Sequence, residues 1–310
     1  MKKVFLALAV IGALASCDKN DSIIDDNQLM DVDLKSTVES VVTTEAQLDD
    51  VAEAADYEVD LFTSFEATME AVSVEQTGSS LKSGDTQIQN RIRERYKLGR
   101  CPNIQIINEN GEWPRTITLD YGDGTELNNG RVISGIIEIV MTGPRYVNGN
   151  TRTVTFINFS VDTIGIAGTI VKTFLIDELK VNIVRDLTFT LPDGTTIDRD
   201  AERSRVWVKG INTPFDHSDD VFEITGFVNC EDSDGNVYRR EITNRLIRKG
   251  GCRFIVAGEV TLSKNGVHFA TINYGNGECD NLAMMHTANG KKQFEIGKRI
   301  RERRQEGIQQ

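Results

Sequence analysis

The sequence predicts a mostly β protein: a large antiparallel meander, curved and open or barrel-like, preceded by an acidic helical segment. Three observations carry this reading. From Cys101 to about Ile296, short runs rich in Val, Ile, Thr and Phe are broken every 8 to 12 residues by turn signals. The signals are of one chemical kind: Asn110-Gly111, Asn129-Gly130, Asn148-Gly149, Asp193-Gly194, Asp234-Gly235, Asn265-Gly266 and Asn289-Gly290. Asn and Gly tolerate the positive φ that tight hairpins need. No long helical period interrupts these runs, which argues against parallel βαβ units.

The segments follow in order. Met1-Lys2-Lys3, an apolar run from Val4 to Leu14, and Ala15-Ser16 form a signal peptide over 1–16, with an apolar stretch too short to span as a mature helix. Leu14-Ala15-Ser16-Cys17 matches the bacterial lipobox, so Cys17 is expected to take a diacylglycerol and hold the chain to a membrane. The competing reading is plain secretion. Residues 17–43 read as an acidic tether. The stretch 18–72 holds sixteen Asp and Glu against Lys19 and Lys35, more than the whole formal charge of −12.

Over 44–100 the pattern changes. Leu48, Val51, Ala54 and Ala55, then Leu61, Phe62, Phe65 and Met69, recur at helical spacing. They predict an amphipathic helix, in one or two pieces, with Thr43 or Thr44 and Gln47 as its capping box. Packing on the chain's own sheet is the first expectation and partner binding the second. Val74 to Lys97 reads as a linker, and Arg91, Arg93, Arg95 and Lys97 as solvated surface. The β domain is expected over 101–297. Its clearest strands are Thr151 to Phe159, Val221 to Val228, Phe254 to Leu262 and Val267 to Tyr274. A basic tail, 298–310, reads as solvated surface, so no nucleic-acid partner is expected.

Four cysteines lie in the exported part, Cys101, Cys230, Cys252 and Cys279. If Asn265-Gly266 is a two-residue turn, paired positions sum to 531 and Cys252 stands opposite Cys279, as a disulfide requires. A bulge at Gly275 or Gly277 would shift this register. Cys101 is then left for Cys230, or unpaired. The histidines His217, His268 and His286 have no metal-ligand spacing, and no metal or other cofactor is expected.

The stretch Tyr274-Gly-Asn-Gly-Glu-Cys-Asp280 echoes Tyr121-Gly-Asp-Gly-Thr-Glu126. Cys101 precedes Tyr121 by 20 residues and Cys252 precedes Tyr274 by 22, which suggests a duplicated hairpin unit with Thr125 where a second Cys would stand. Neither copy has the alternating acids of a calcium loop or the helix start of a phosphate loop, so both read as strand-ending turns. Asp232-Ser-Asp-Gly-Asn236 reads first as a hairpin, and Asp216 to Asp220 as a solvated acidic loop. Trp113 and Trp207 read first as sheet packing and second as anchors for a glycan or protein. Asp120 and Glu138 form a candidate carboxylate pair. No catalytic motif is present, and no catalytic residue is assigned.

The lipobox, the acidic lead, Cys101-Pro102, Thr116 to Gly124, Gly251 to Gly258 and Asn273 to Asn281 together resemble an uncharacterised family of Bacteroidota-type outer-membrane lipoproteins. The resemblance implies a lipid-anchored place at the outer membrane, on its periplasmic or cell-surface side. It also implies a Cys after the first Gly-Asp-Gly, where this chain has Thr125. Two function classes follow. One is a non-enzymatic structural or interaction protein with an envelope-protein or glycan partner; the other is a lipid or glycan carrier, or an enzyme, with its pocket in a curved sheet.

Overall fold

The computed structural model describes residues 44, 47–48, 50–52, 54–63, 94–96, 101–108, 112–213, 218–232, 235–252 and 254–295. The predicted positions Cys17, Phe65, Met69, Asp216, His217 and the basic tail lie outside them.

Fourteen strands form one open, curved antiparallel sheet: β1 (Asn103–Asn108), β2 (Arg115–Asp120), β3 (Thr125–Glu126), β4 (Val132–Met141), β5 (Thr151–Val161), β6 (Ile164–Leu175), β7 (Lys180–Thr190), β8 (Thr196–Lys209), β9 (Val221–Glu231), β10 (Val237–Lys249), β11 (Ile255–Lys264), β12 (Val267–Asn276), β13 (Leu282–Thr287) and β14 (Gly290–Glu295). Each strand pairs with its neighbour in sequence, except that β2 pairs with β4 and the short β3 lies off the path against β4. The all-antiparallel meander is the predicted class. Short connections leave hairpins as the only economical topology.

Alternation sets the two faces. Ile117, Leu119, Ile137, Ile139, Val154, Phe156, Ile170, Leu187 and Phe189 are buried on one face, while Thr and acids such as Thr118, Thr155 and Asp186 fill the other.

Curvature comes from glycines inside the strands. Gly168 has φ +106° and Gly226 φ +128°. A Cβ on Gly168 would lie 2.1 Å from the Asp186 carbonyl oxygen, and one on Gly226 would lie 2.0 Å from that of Glu202. Gly135 and Gly258 make similar approaches to Asn158 and Arg245. Only a residue without a side chain lets neighbouring backbones come so near, and the kinked strand bends the sheet.

A helix over 50–63, with further helical positions back to 44, packs on the inner face. Leu48, Val51, Ala55, Val59 and Phe62 join Ile117, Leu119, Ile137 and Ile139 in one core. Only Asp50, Tyr57 and Asp60 among its described residues are exposed. A second, smaller core joins Leu246, Val260, Leu262, Ala270, Ile272, Tyr274, Ala283 and Met285 on β10–β13.

Candidate functional site

Facing residues of antiparallel strands share a face, and the register places a row of cations on the inner one. Arg152 opposes Lys172, Ile170 opposes Arg185, and Val181 opposes Arg205. These are positions that alternation reserves for the core, and the acidic helix is what makes the charges tolerable there. The Asp56 carboxylate takes Lys172 at 3.2 Å and also pairs with Arg185, while Asp60 reaches Lys172 at 3.3 Å and Arg152 at 3.7 Å. Asp50 pairs with Arg131 at 2.9 Å. Burial pushes the Asp56 carboxyl up, but the charges of Lys172 and Arg185 outweigh it and hold the group at about 2.

These ion pairs latch the helix to the sheet, and a second charge network of the same latch centres on Glu58, which is completely buried. Its Oε1 accepts from Arg95 Nε at 2.7 Å, with Arg95 Nη2 at 2.6 Å. Its Oε2 accepts from the Tyr121 hydroxyl at 2.7 Å and from the Tyr96 hydroxyl. A buried carboxylate so surrounded keeps its charge satisfied. Burial and the charge of Glu58 raise both tyrosines above their ordinary value, so they remain donors. Arg95 and Tyr96 correct the sequence reading, which left them in a linker and on solvated surface. Tyr96 is buried and bridges to Leu127, and Arg95 lies over the Tyr57 ring. Two cues went unused: an aromatic beside the basic run, and a carboxylate inside an otherwise apolar helical stripe.

The repeated Tyr-Gly turns carry the same internal hydrogen bond at opposite ends of the sheet. Asp120 Oδ1 accepts from Gly122 N–H at 2.9 Å, and Asn273 Oδ1 accepts from Gly275 N–H at 2.9 Å. Each turn aims its tyrosine inward. Tyr121 donates to Glu58, and Tyr274 accepts from Arg240 Nη2 at 2.9 Å. Thr125, in the place where a second Cys would be expected, donates from its hydroxyl to the Tyr121 carbonyl at 3.1 Å.

Cys252 and Cys279 are joined, with Cα atoms 5.7 Å apart. The route differs from the expected cross-strand pair. Lys264 opposes Val267 and Ser263 opposes His268, but a bulge then shifts the register, so that Leu262 opposes Ala270, and a second shift leaves Ala257 opposite Asn276. Both cysteines lie beyond the strand ends, in the loops before β11 and after β12, and the bond links those loops. No disulfide joins Cys101 to Cys230. Cys101 stands before β1 and Cys230 lies on β9, seven strand pairings away along the sheet path, and neither is part of a disulfide. Cys101 is exposed, yet desolvation by the groups around it, with the charge of Glu58, pushes its thiol up to about 12. It is therefore protonated at neutral pH and a weak nucleophile.

The remaining candidates divide. Asp120 and Glu138 share a face but are not opposed, since Glu138 faces Thr118 and Asp120 faces Ile136. Asp232 accepts from Asn236 N–H at 2.9 Å and closes a hairpin. Among the described residues no three His, Cys, Asp or Glu side chains converge as metal ligands. Trp113 lies under Arg115. Trp207 stacks on Phe222, with ring centroids 6.2 Å apart, and donates to Asp220 at 3.0 Å. Arg205 lies over the same Phe222 ring at 5.1 Å.

The chain matches no described protein family, no curated protein and no solved structure. On the inner face Arg152, Lys172 and Arg185 hold the carboxylates of the chain's own helix, and Arg205 lies over the Phe222 ring beside Trp207.

Proposed function

We propose that this chain is a lipid-anchored outer-membrane protein that acts by binding, with the inner face of its sheet as the recognition surface. The observation that carries the reading is the latch: the inner face holds Asp56 and Asp60 through Arg152, Lys172 and Arg185, so it is built to receive carboxylates. Beyond the latch the same face continues through Arg205, Trp207 and Phe222. The lipobox at Leu14–Cys17 supports the anchor, and the acidic tether supports display at a distance from the membrane. The carrier reading is less favoured because the concavity over β1–β7 is occupied by the chain's own helix.

Membrane fractionation and protease shaving of intact cells test this reading. The chain is expected in the outer-membrane fraction, and Cys17→Ala is expected to release it into the soluble fraction. Retention of Cys17→Ala in the membrane would refute lipid anchoring.

A further inference from the structure

The open sheet ends in two edge strands, β1 and β14, and the two are built differently. Backbone N–H and C=O groups along a sheet edge invite a further strand, and lysines, prolines or bulges on the edge discourage it. β14 carries Lys291 and Lys292, both exposed, and ends in Glu295. β1, Asn103-Ile-Gln-Ile-Ile-Asn108, carries no charge and no proline, and its register against β2 runs without a bulge from Asn103 opposite Asp120 to Asn108 opposite Arg115. Among the described residues no strand lies beyond it. Ile104 and Ile106 pack against the main core from the inner face, while Gln105 and Ile107 point outward and Ile107 is 59% exposed. On the inner side Tyr57 of the helix, itself about half exposed, stands at the same edge: Arg95 lies over its ring at 4.4 Å, and Tyr96 bridges to Leu127 just past β3. Apolar surface therefore flanks this edge on both faces.

We propose that β1 is the seam of a twofold dimer, pairing antiparallel with β1 of a second copy so that the two sheets become one. Opposed residues of an antiparallel pair share a face, so the apolar faces match only where the paired numbers have an even sum. A sum of 210 uses the strand most fully. Gln105 then meets Gln105 at the axis, Ile104 meets Ile106 twice on the inner face, and Asn103 meets Ile107 twice on the outer one. Charge favours a second copy here, because two chains of net charge −12 meet at this seam without opposing like charges within it. Closure follows from the other edge. Head-to-tail pairing of β1 with β14 would propagate into an open filament, and the lysines of β14 guard against it. A six-residue seam is small, so the affinity in solution is expected to be roughly micromolar. The seam stands apart from the inner-face recognition surface and from the anchor; lipid attachment of both copies would only raise their effective concentration.

Full-length chain carrying Cys17→Ala, so that no lipid drives association, is measured by analytical ultracentrifugation and, with Cys101→Ser added, by oxidative cross-linking. A concentration-dependent monomer–dimer equilibrium is expected. Gln105→Cys should cross-link to itself, since opposed residues at the axis bring their Cα atoms within disulfide reach. Asn103→Cys and Ile107→Cys should each fail to cross-link alone and should cross-link when mixed. Gln105→Lys and Gln105→Glu, at an exposed position, should each weaken the dimer about tenfold or more by setting like charges against one another, and an equimolar mixture of the two should restore it. Cross-linking of Gln105→Cys decides the case of a dimer too weak to sediment. Absence of that cross-link, a dimer left unchanged by both charges, or cross-linking of Asn103→Cys alone as strong as that of Gln105→Cys would overturn the proposal. So would growth into an open series of larger species, the mark of head-to-tail pairing.

Discussion

The two halves of the sheet are held by different chemistry. Over β1–β7 a helix packs on the inner face, and its carboxylates neutralise cations that alternation places in the core. Over β10–β13 a smaller apolar cluster has no described helix above it, and a disulfide joins the loops at one end of the β11–β12 hairpin. The contrast bears on the duplicated hairpin. In the first copy Tyr121 is tied to Glu58 and the turn is held by the Thr125 hydroxyl. In the second Tyr274 is tied to Arg240 and the turn runs on into Cys279. The first hairpin is fixed by a buried charge network around Glu58, and the second is followed by a covalent bond.

The contrast breaks most sharply at Glu58. Glu58→Ala leaves Arg95 and two tyrosine hydroxyls without their acceptor in a closed core, and should cost about 3–5 kcal/mol in denaturant unfolding. In the other half, Cys252→Ser with Cys279→Ser should cost about 3 kcal/mol, given a sequence separation of 27. Its proteolytic sensitivity should be confined to β11–β13.

Acid separates the halves without mutation. The Asp56 pKa in the folded chain, about 2, lies below the ordinary value of 3.8. Its contribution is therefore complete above about pH 4 and lost as pH falls towards 2, about 2 kcal/mol in all. Asp56→Asn should flatten that part of the stability–pH curve while leaving the disulfide-linked half unchanged. The smallest effect belongs to Asp60→Asn. Its side chain is about half exposed, and the ion pairs it makes should be worth less than about 1 kcal/mol.

Much of the fold was legible because its signals are local. Asn-Gly and Asp-Gly turns and β-branched runs placed the strands, and the spacing of Leu48, Val51 and Ala55 placed the helix. The latch was not legible, since it depends on which inner-face positions carry Arg152, Lys172 and Arg185. Face assignment reverses with every one-residue bulge, and the sheet has several. The disulfide shows the same limit. The turn at Asn265-Gly266 gave the partners, but bulges moved the cysteines from a cross-strand pair to a loop link. Gly168 and Gly226 were visible as lone glycines inside strand patterns, a cue for close backbone approach that went unread.

Hydrogen exchange on the parent chain and on Glu58→Ala tests the central claim, that a charge latch holds one half of the sheet independently of the other. Amides of 50–63, β2 and β4 should lose protection together in Glu58→Ala while β11–β13 keep theirs. Uniform loss across all strands, or unchanged protection in the helix, would contradict the account.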